Sequence, residues 1–347
     1  MTQDLEEFIN TRSPSEPNYS ELLYLQAKFL FFAGDLEKLN DFFTLTSASQ
    51  NIPGVQLFYS LGLAFQGHSK EGLEILKQID PKLYENDLVV KLELLGVTLF
   101  IHSIRRDYFS VSELFFQISE ISSQKSDIKA HTKAHLLPWA YLRQAYSIRA
   151  KGQVFKALDL INECQRDLGK YPHRFFQSMV WTLIGHCHHN LGNIEKALAF
   201  YDQAIDLALE IQSWVLLTIL YNRVGMAMNV QSKPSLARKY FQKAVDQAKT
   251  AHAHWLEIGP LANLVQWRLS EGQIEEAIND YHQFVEVASG AGDEYESCYA
   301  QLALAELYRQ VGDIPKSKYF LNSGFKLALK LGIFRTISDS EDEAKYN

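Results

Sequence analysis

A spacing of 40 residues organises the second half of the chain. Stepping from Gly192 in both directions gives Gly152, Gly192, Ser232, Gly272 and Gly312. The same step gives Ala157, Ala197, Ala237, Ala277 and Ser317, and from Tyr201 it gives Ile161, Tyr201, Phe241, Tyr281 and Leu321. The three columns stay in phase without insertion or deletion, which points to a repeat architecture before any secondary structure is assigned. One unit of this kind cannot bury its apolar face alone, so the stack of units supplies the core.

Each column has a mechanical meaning. The Gly/Ser column falls where a first helix ends and the chain turns, a place that favours φ > 0. Asn193 and Asp313 follow it as candidate caps of the second helix, and Pro234 suits a helix start. The Ala column and the largely aromatic column four residues on share one face of that second helix. A mostly small column, Ala145, Gly185, Gly225, Val265 and Ala305, lets the two helices approach closely.

These residues carry a family resemblance. Trp181-x-x-Ile184-Gly185-x-x-His188, then Ala197-x-x-x-Tyr201, resembles the tetratricopeptide repeat, and Tyr221-x-x-Val224-Gly225 with Ala237 and Phe241 fits nearly as well. The usual unit of that family has about 34 residues and often ends in proline. Here the unit has 40 and the proline column is absent, so the chain resembles a long-helix branch of the family. That branch includes partner-scaffolding proteins and bacterial peptide-sensing regulators. The resemblance is strong over residues 138–332. It implies an all-α fold, a right-handed superhelical solenoid of roughly sixteen helices in eight antiparallel pairs.

The expected organisation has four parts. Residues 1–17 form a flexible N-terminal segment, 18–125 hold three degenerate repeats, 126–332 hold five 40-residue repeats, and 333–347 form an acidic tail. Ser110-x-x-Glu113 has the form of a capping box. The loop-like stretch 122–129 breaks the phase and is the expected boundary between two halves. The last repeat helix has apolar residues on more than one face. Either residues 334–337 fold back over it, or a partner or a second copy forming a homodimer covers it.

In this family the first helices of successive units line a concave groove. Carried onto units starting at Pro138, Ser178, Thr218, Ile258 and Cys298, the groove positions are taken one unit at a time. The first unit gives Trp139, Tyr146 and Arg149, and the second gives His186, His189 and Asn190. The third gives Asn222, Met226 and Asn229, the fourth Gln266, and the last Glu306 and Arg309. Amides there can pair with the backbone of an extended peptide, and Trp139, Tyr146 and Met226 can anchor apolar side chains. The lysine-rich set with which relatives grip a peptide's terminal carboxylate is missing, so that mode is not expected.

The segment His186-Cys187-His188-His189 invites a metal reading. On a helix only His186 and His189 share a face, short of the three or four converging ligands that zinc takes. His188 fills the packing column and Cys187 lies beside it. No metal or other cofactor is therefore expected. The sequence carries no Gly-rich phosphate loop, no H-E-x-x-H and no G-x-S-x-G, and no enzyme activity is expected.

A net charge of −7 argues against a general nucleic-acid binder. No apolar run reaches the ~18 residues that span a bilayer, and the first ten residues lack the pattern of a secretory signal. Three widely spaced cysteines suit a reducing compartment, so the expected location is the cytoplasm. The expected function is a non-catalytic scaffold binding a protein or peptide in the groove. The alternative is a regulatory sensor whose solenoid changes shape when a peptide or other signal binds.

Overall fold

The computed structural model describes residues 19–33, 35–45, 51–80, 82, 88–105, 107–124, 130–168, 173–290 and 293–331. Among them the regular structure is all α-helix apart from isolated 3-10 residues. The first three helix pairs are α1 (Tyr19–Ala33) with α2 (Leu36–Leu45), α3 (Pro53–Gln66) with α4 (Ser69–Lys77), and α5 (Leu88–Ile104) with α6 (Tyr108–Gln124). Next come α7 (Ala130–Ala150) with α8 (Val154–Leu168), α9 (Arg174–Asn190) with α10 (Ile194–Glu210), and α11 (Trp214–Val230) with α12 (Pro234–Thr250). The last two pairs are α13 (His254–Ser270) with α14 (Ile274–Gly290), and α15 (Glu294–Gln310) with α16 (Ile314–Lys330). The chain divides into two compact units, Met1–Ala253 and His254–Asn347. The expected boundary at 122–129 falls mostly outside the described residues, as do the N-terminal segment 1–17 and the acidic tail.

From α9 onward every helix has 17 residues and a new one begins every 20 residues, so the 40-residue unit is two equal half-steps. The same turn makes each reversal where the turn is described. Its middle residue is left-handed, at Gly192 (φ 76), Gln212 (φ 54), Ser232 (φ 58), His252 (φ 49), Gly272 (φ 72) and Gly312 (φ 82). The next N–H then reaches back five residues, as from Asn193 to His188 O and from Ser213 to Ala208 O, both at 2.9 Å. That bond closes the helix end and aims the following helix back along the first.

Three of these turns place a side chain where glycine is favoured, at a cost of about 1–2 kcal/mol each. Ser232→Gly is expected to raise stability by about 0.5–1 kcal/mol, part of the relief being offset by the freer unfolded chain. The urea midpoint of the variant checks this.

Two local expectations are corrected. The cap of α6 is Asp107, whose carboxylate accepts from the Ser110 N–H (3.2 Å) and from Ser110 Oγ (2.7 Å), so Ser110 lies inside the helix. Asn193 makes no side-chain cap bond, whereas Asp313 accepts from the Lys316 N–H at 3.1 Å. Pro234 sits in the first turn of α12 as expected.

The core follows the columns. Ala157, Ala197, Ala237 and Ala277 are fully buried, and Tyr201, Phe241 and Tyr281 are buried beneath the first helices of their pairs. A Cβ on Gly185 would lie 2.6 Å from Tyr201 Cε1, and one on Gly225 would lie 2.5 Å from Phe241 Cε1. Those two glycines are therefore what lets each aromatic ring lie against the backbone of the facing helix. On α16 the corresponding stripe, Leu321, Phe325 and Leu329, is exposed.

Candidate functional site

Within Met1–Ala253 the first helices α7, α9 and α11 lie side by side, α7 against α9 and α9 against α11. Their common face carries Tyr146 and Arg149 from α7, His186, His189 and Asn190 from α9, and Asn222, Met226 and Asn229 from α11. The 40-residue period sets one column, Tyr146, His186 and Met226, and a second, Arg149, His189 and Asn229. Asn190 and Asn229 are exposed at the helix ends, while Asn222 and Met226 are half-buried. Trp139 lies in α7, but its side chain is outside the described set.

Among the described residues named on this face and beside it, the charged ones are arginines. The Arg149 guanidinium sits 4.8 Å from the centre of the Tyr146 ring, a cation–π contact. Arg223, one residue from Asn222, is half-buried, and its Nη1 donates to Met226 Sδ at 3.5 Å. Among the described residues neither arginine has a carboxylate within ion-pair distance. Burial holds Arg149 below its usual value, and the nearby Arg223 charge pushes the same way.

The histidine segment divides, though not quite as the repeat register suggests. His186 is only 6% exposed, more deeply buried than a groove residue was expected to be. Cys187 is fully buried, and burial pushes its thiol up to about 11. His188 is half-buried and stacks on Phe200, ring centres 5.6 Å apart, at the edge of the pair rather than in its core. The rings of His186 and His189 meet edge to face at 6.5 Å. Among the described residues no three His, Cys, Asp or Glu side chains converge as metal ligands.

His186 is kept neutral by its surroundings. Burial comes first, then the charges of Arg223 and Arg149 and the neighbouring His189, all lowering it well below 6.5. Its folded value thus lies below its unfolded one, so its contribution is intact above pH 6.5 and lost as pH falls further. His186 alone is expected to cost about 1.4 kcal/mol of stability per pH unit below 6.5 until its folded value is reached. Urea midpoints at pH 7.5 and 5.5 test this, and His186→Gln should flatten the difference.

Sequence reasoning missed two residues that adjoin the candidates on this face. Tyr201, placed in the packing column, rises from α10 beneath α9, and its fully buried hydroxyl has no hydrogen-bond partner among the described residues. Burial pushes it up to about 12, so it carries a proton at neutral pH. Arg223 stands off the expected groove positions. A signal for both arginines was present in the sequence: no acidic residue lies three or four positions from either one.

In His254–Asn347 the remaining candidates behave differently. Gln266 is exposed, and its Nε2 donates to the hydroxyls of Tyr281 (3.3 Å) and Tyr299 (3.5 Å). Glu306 and Arg309 form a two-pronged surface pair at 2.8 and 2.6 Å, which holds the Glu306 carboxyl at about 2. Arg268 is likewise paired with Asp280. Each of these charges is balanced at home.

Comparison with known proteins bears on the fold that carries this face. The family model described as tetratricopeptide repeat matches residues 180–210, spanning α9 and α10. No curated protein sequence matches the chain. Among solved structures the chain is similar to the Cut9–Hcn1 hetero-tetramer of the APC/C, with 17% identity and a TM-score of 0.58. That match covers 94% of this chain and 56% of the other. It is also similar to a Rap protein complexed with competence and sporulation factor, with 13% identity, a TM-score of 0.57 and coverage of 80% and 77%. A third is aspartyl phosphate phosphatase F from Bacillus subtilis, with 15% identity, a TM-score of 0.51 and coverage of 81% and 76%. The tetratricopeptide repeat model thus matches one helix pair of the chain, α9 with α10, and the solved structures share its fold of repeated helix pairs.

Proposed function

We propose that the chain is a non-catalytic interaction scaffold that takes an extended protein or peptide segment against the α7–α9–α11 face. The observation that carries this reading is the pair of half-buried arginines there, Arg149 and Arg223, neither of which has a carboxylate within ion-pair distance among the described residues. Guanidinium groups without a counter-charge are costly to hold partly buried, so this set of donors suits acceptors supplied by a partner. Asn190, Asn222 and Asn229 flank the set and suit the backbone of an extended chain.

The structural likenesses support the same class of function. One solved neighbour is a Rap protein complexed with a factor, and another is a hetero-tetramer. The Rap likeness also favours a second reading, a regulatory sensor that changes shape when a peptide binds. The three cysteines are free and buried, which suits action in the cytoplasm. No described helix is long and apolar enough to cross a membrane.

The test compares proteins captured by the full chain with those captured by the double variant His186→Ala, Asn222→Ala. Loss of a specific partner from the variant is expected. If every captured protein persists unchanged, the contact lies elsewhere. The sensor reading additionally requires small-angle scattering to change when a binding peptide is added, since a ligand shifts only states it distinguishes.

A further inference from the structure

The repeat register permits a controlled comparison between the two compact units, each taken by itself. Tyr201 and Tyr281 occupy the same column, as do His186 and Gln266. In the second unit the Tyr281 hydroxyl accepts from Gln266, while Arg268 and Arg309 each have a carboxylate. In the first unit the Tyr201 hydroxyl has no partner, and Arg149 and Arg223 have no carboxylate among the described residues. This happens in a chain with 41 acidic residues against 34 basic ones, so acidic groups were available to balance these arginines.

Among the described residues the cluster also has no internal anion. Cys187 and Tyr201 are both held protonated by burial, and His186 and His189 are held neutral, leaving two positive charges. Those charges are near enough to act on one another and on His186. Partly buried charges without counter-charges are costly, and guanidinium forks match the two oxygens of a carboxylate or phosphoryl group. The arginines come from α7 and α11, on either side of α9, so they flank whatever lies across that helix.

We propose that Arg149 and Arg223 together hold one oxyanion, carboxylate or phosphoryl, carried on a side chain of the bound peptide. The N–H groups of the two guanidiniums supply its hydrogen bonds. This inference rests on the reading that a segment binds the α7–α9–α11 face, and it names the chemistry that face selects. The ligand group is an internal side chain rather than a chain end, because the asparagines on both sides provide for backbone continuing in each direction.

The experiment uses the full chain and three pools of random hexapeptides with blocked termini. The pools differ only at a central position, which is glutamate, phosphoserine or glutamine. Anisotropy reports affinity, and Nε resonances of labelled arginine report contact at Arg149 and Arg223. At least one acidic pool is expected to bind about tenfold more tightly than the glutamine pool, with a preference that weakens as salt is raised. Which acidic pool leads distinguishes carboxylate from phosphoryl. Arg149→Gln and Arg223→Gln should each remove most of the preference, and Arg223→Lys, which keeps charge but loses the fork, should remove part of it.

If the glutamine pool binds equally well and its affinity falls in His186→Ala, Asn222→Ala, the peptide face stands and the oxyanion inference is overturned. Persistence of an acidic preference in both arginine variants also overturns it. If no pool binds, the inference and the reading beneath it fail together. Melting temperatures of the variants confirm folding, and Arg223→Gln should not melt below the parent, because it removes an uncompensated charge.

Discussion

Gly185→Val is expected to destabilise the Met1–Ala253 unit by about 2–3 kcal/mol, the upper range for forcing atoms into a packed core. Three contacts set the size of the effect. The new Cβ would stand 2.6 Å from Tyr201 Cε1, 2.8 Å from Cδ1 and 3.0 Å from the Ala197 carbonyl oxygen. The ring cannot swing away because Tyr201 is fully buried, and the carbonyl belongs to α10 itself. Relief of glycine's helix penalty offsets well under about 1 kcal/mol, since valine is a mediocre helix former. Gly290→Ala is the control: nothing lies within 4 Å of its added Cβ, so propensity alone predicts a neutral to slightly stabilised protein. Urea titration of both variants decides the matter. A Gly185→Val protein as stable as its parent would mean that α9 and α10 do not approach as closely as described.

Gly185 also shows why so much of this fold is legible in the sequence. A close helix approach needs a residue without a side chain, a reversal needs a left-handed residue, and both needs recur every 40 positions. The half-step of 20 residues is harder to read, because Gln212 and His252 occupy its left-handed turns and nothing in those residue types announces φ > 0. The cap at Asp107 escaped for a related reason: Ser110 and Glu113 matched a capping pattern three residues too late.

The candidate site was legible in proportion to how far it follows helical periodicity. Arg149, His186, His189 and Met226 fall on the shared face because they repeat in register. Arg223 lies off the expected positions and joins the face through its long side chain, which bends toward Met226 one turn on. Tyr201 was hidden by its own column, since an aromatic residue at a packing position says nothing about where its hydroxyl ends. Only the comparison of Tyr201 with Tyr281 shows that one hydroxyl has a partner among the described residues and the other does not.

That contrast makes Tyr201 the site of the largest expected effect. Tyr201→Ala removes a fully buried ring and is expected to cost about 3–5 kcal/mol, as for other large aromatic truncations. Most of that loss reports the cavity between α9 and α10, so alanine alone cannot separate packing from polarity. Tyr201→Phe does separate them. It keeps the ring against Gly185 and deletes a hydroxyl with no partner among the described residues, so stability should stay level or rise by about 1 kcal/mol. At Tyr281, where Gln266 donates to the hydroxyl, the same exchange should instead lower stability by about 1 kcal/mol. Opposite signs at two positions of one column would show that the repeat keeps its packing constant while the surroundings of the hydroxyl differ between units. A loss at Tyr201→Phe equal to that at Tyr281→Phe would mean that the Tyr201 hydroxyl is already satisfied within the protein.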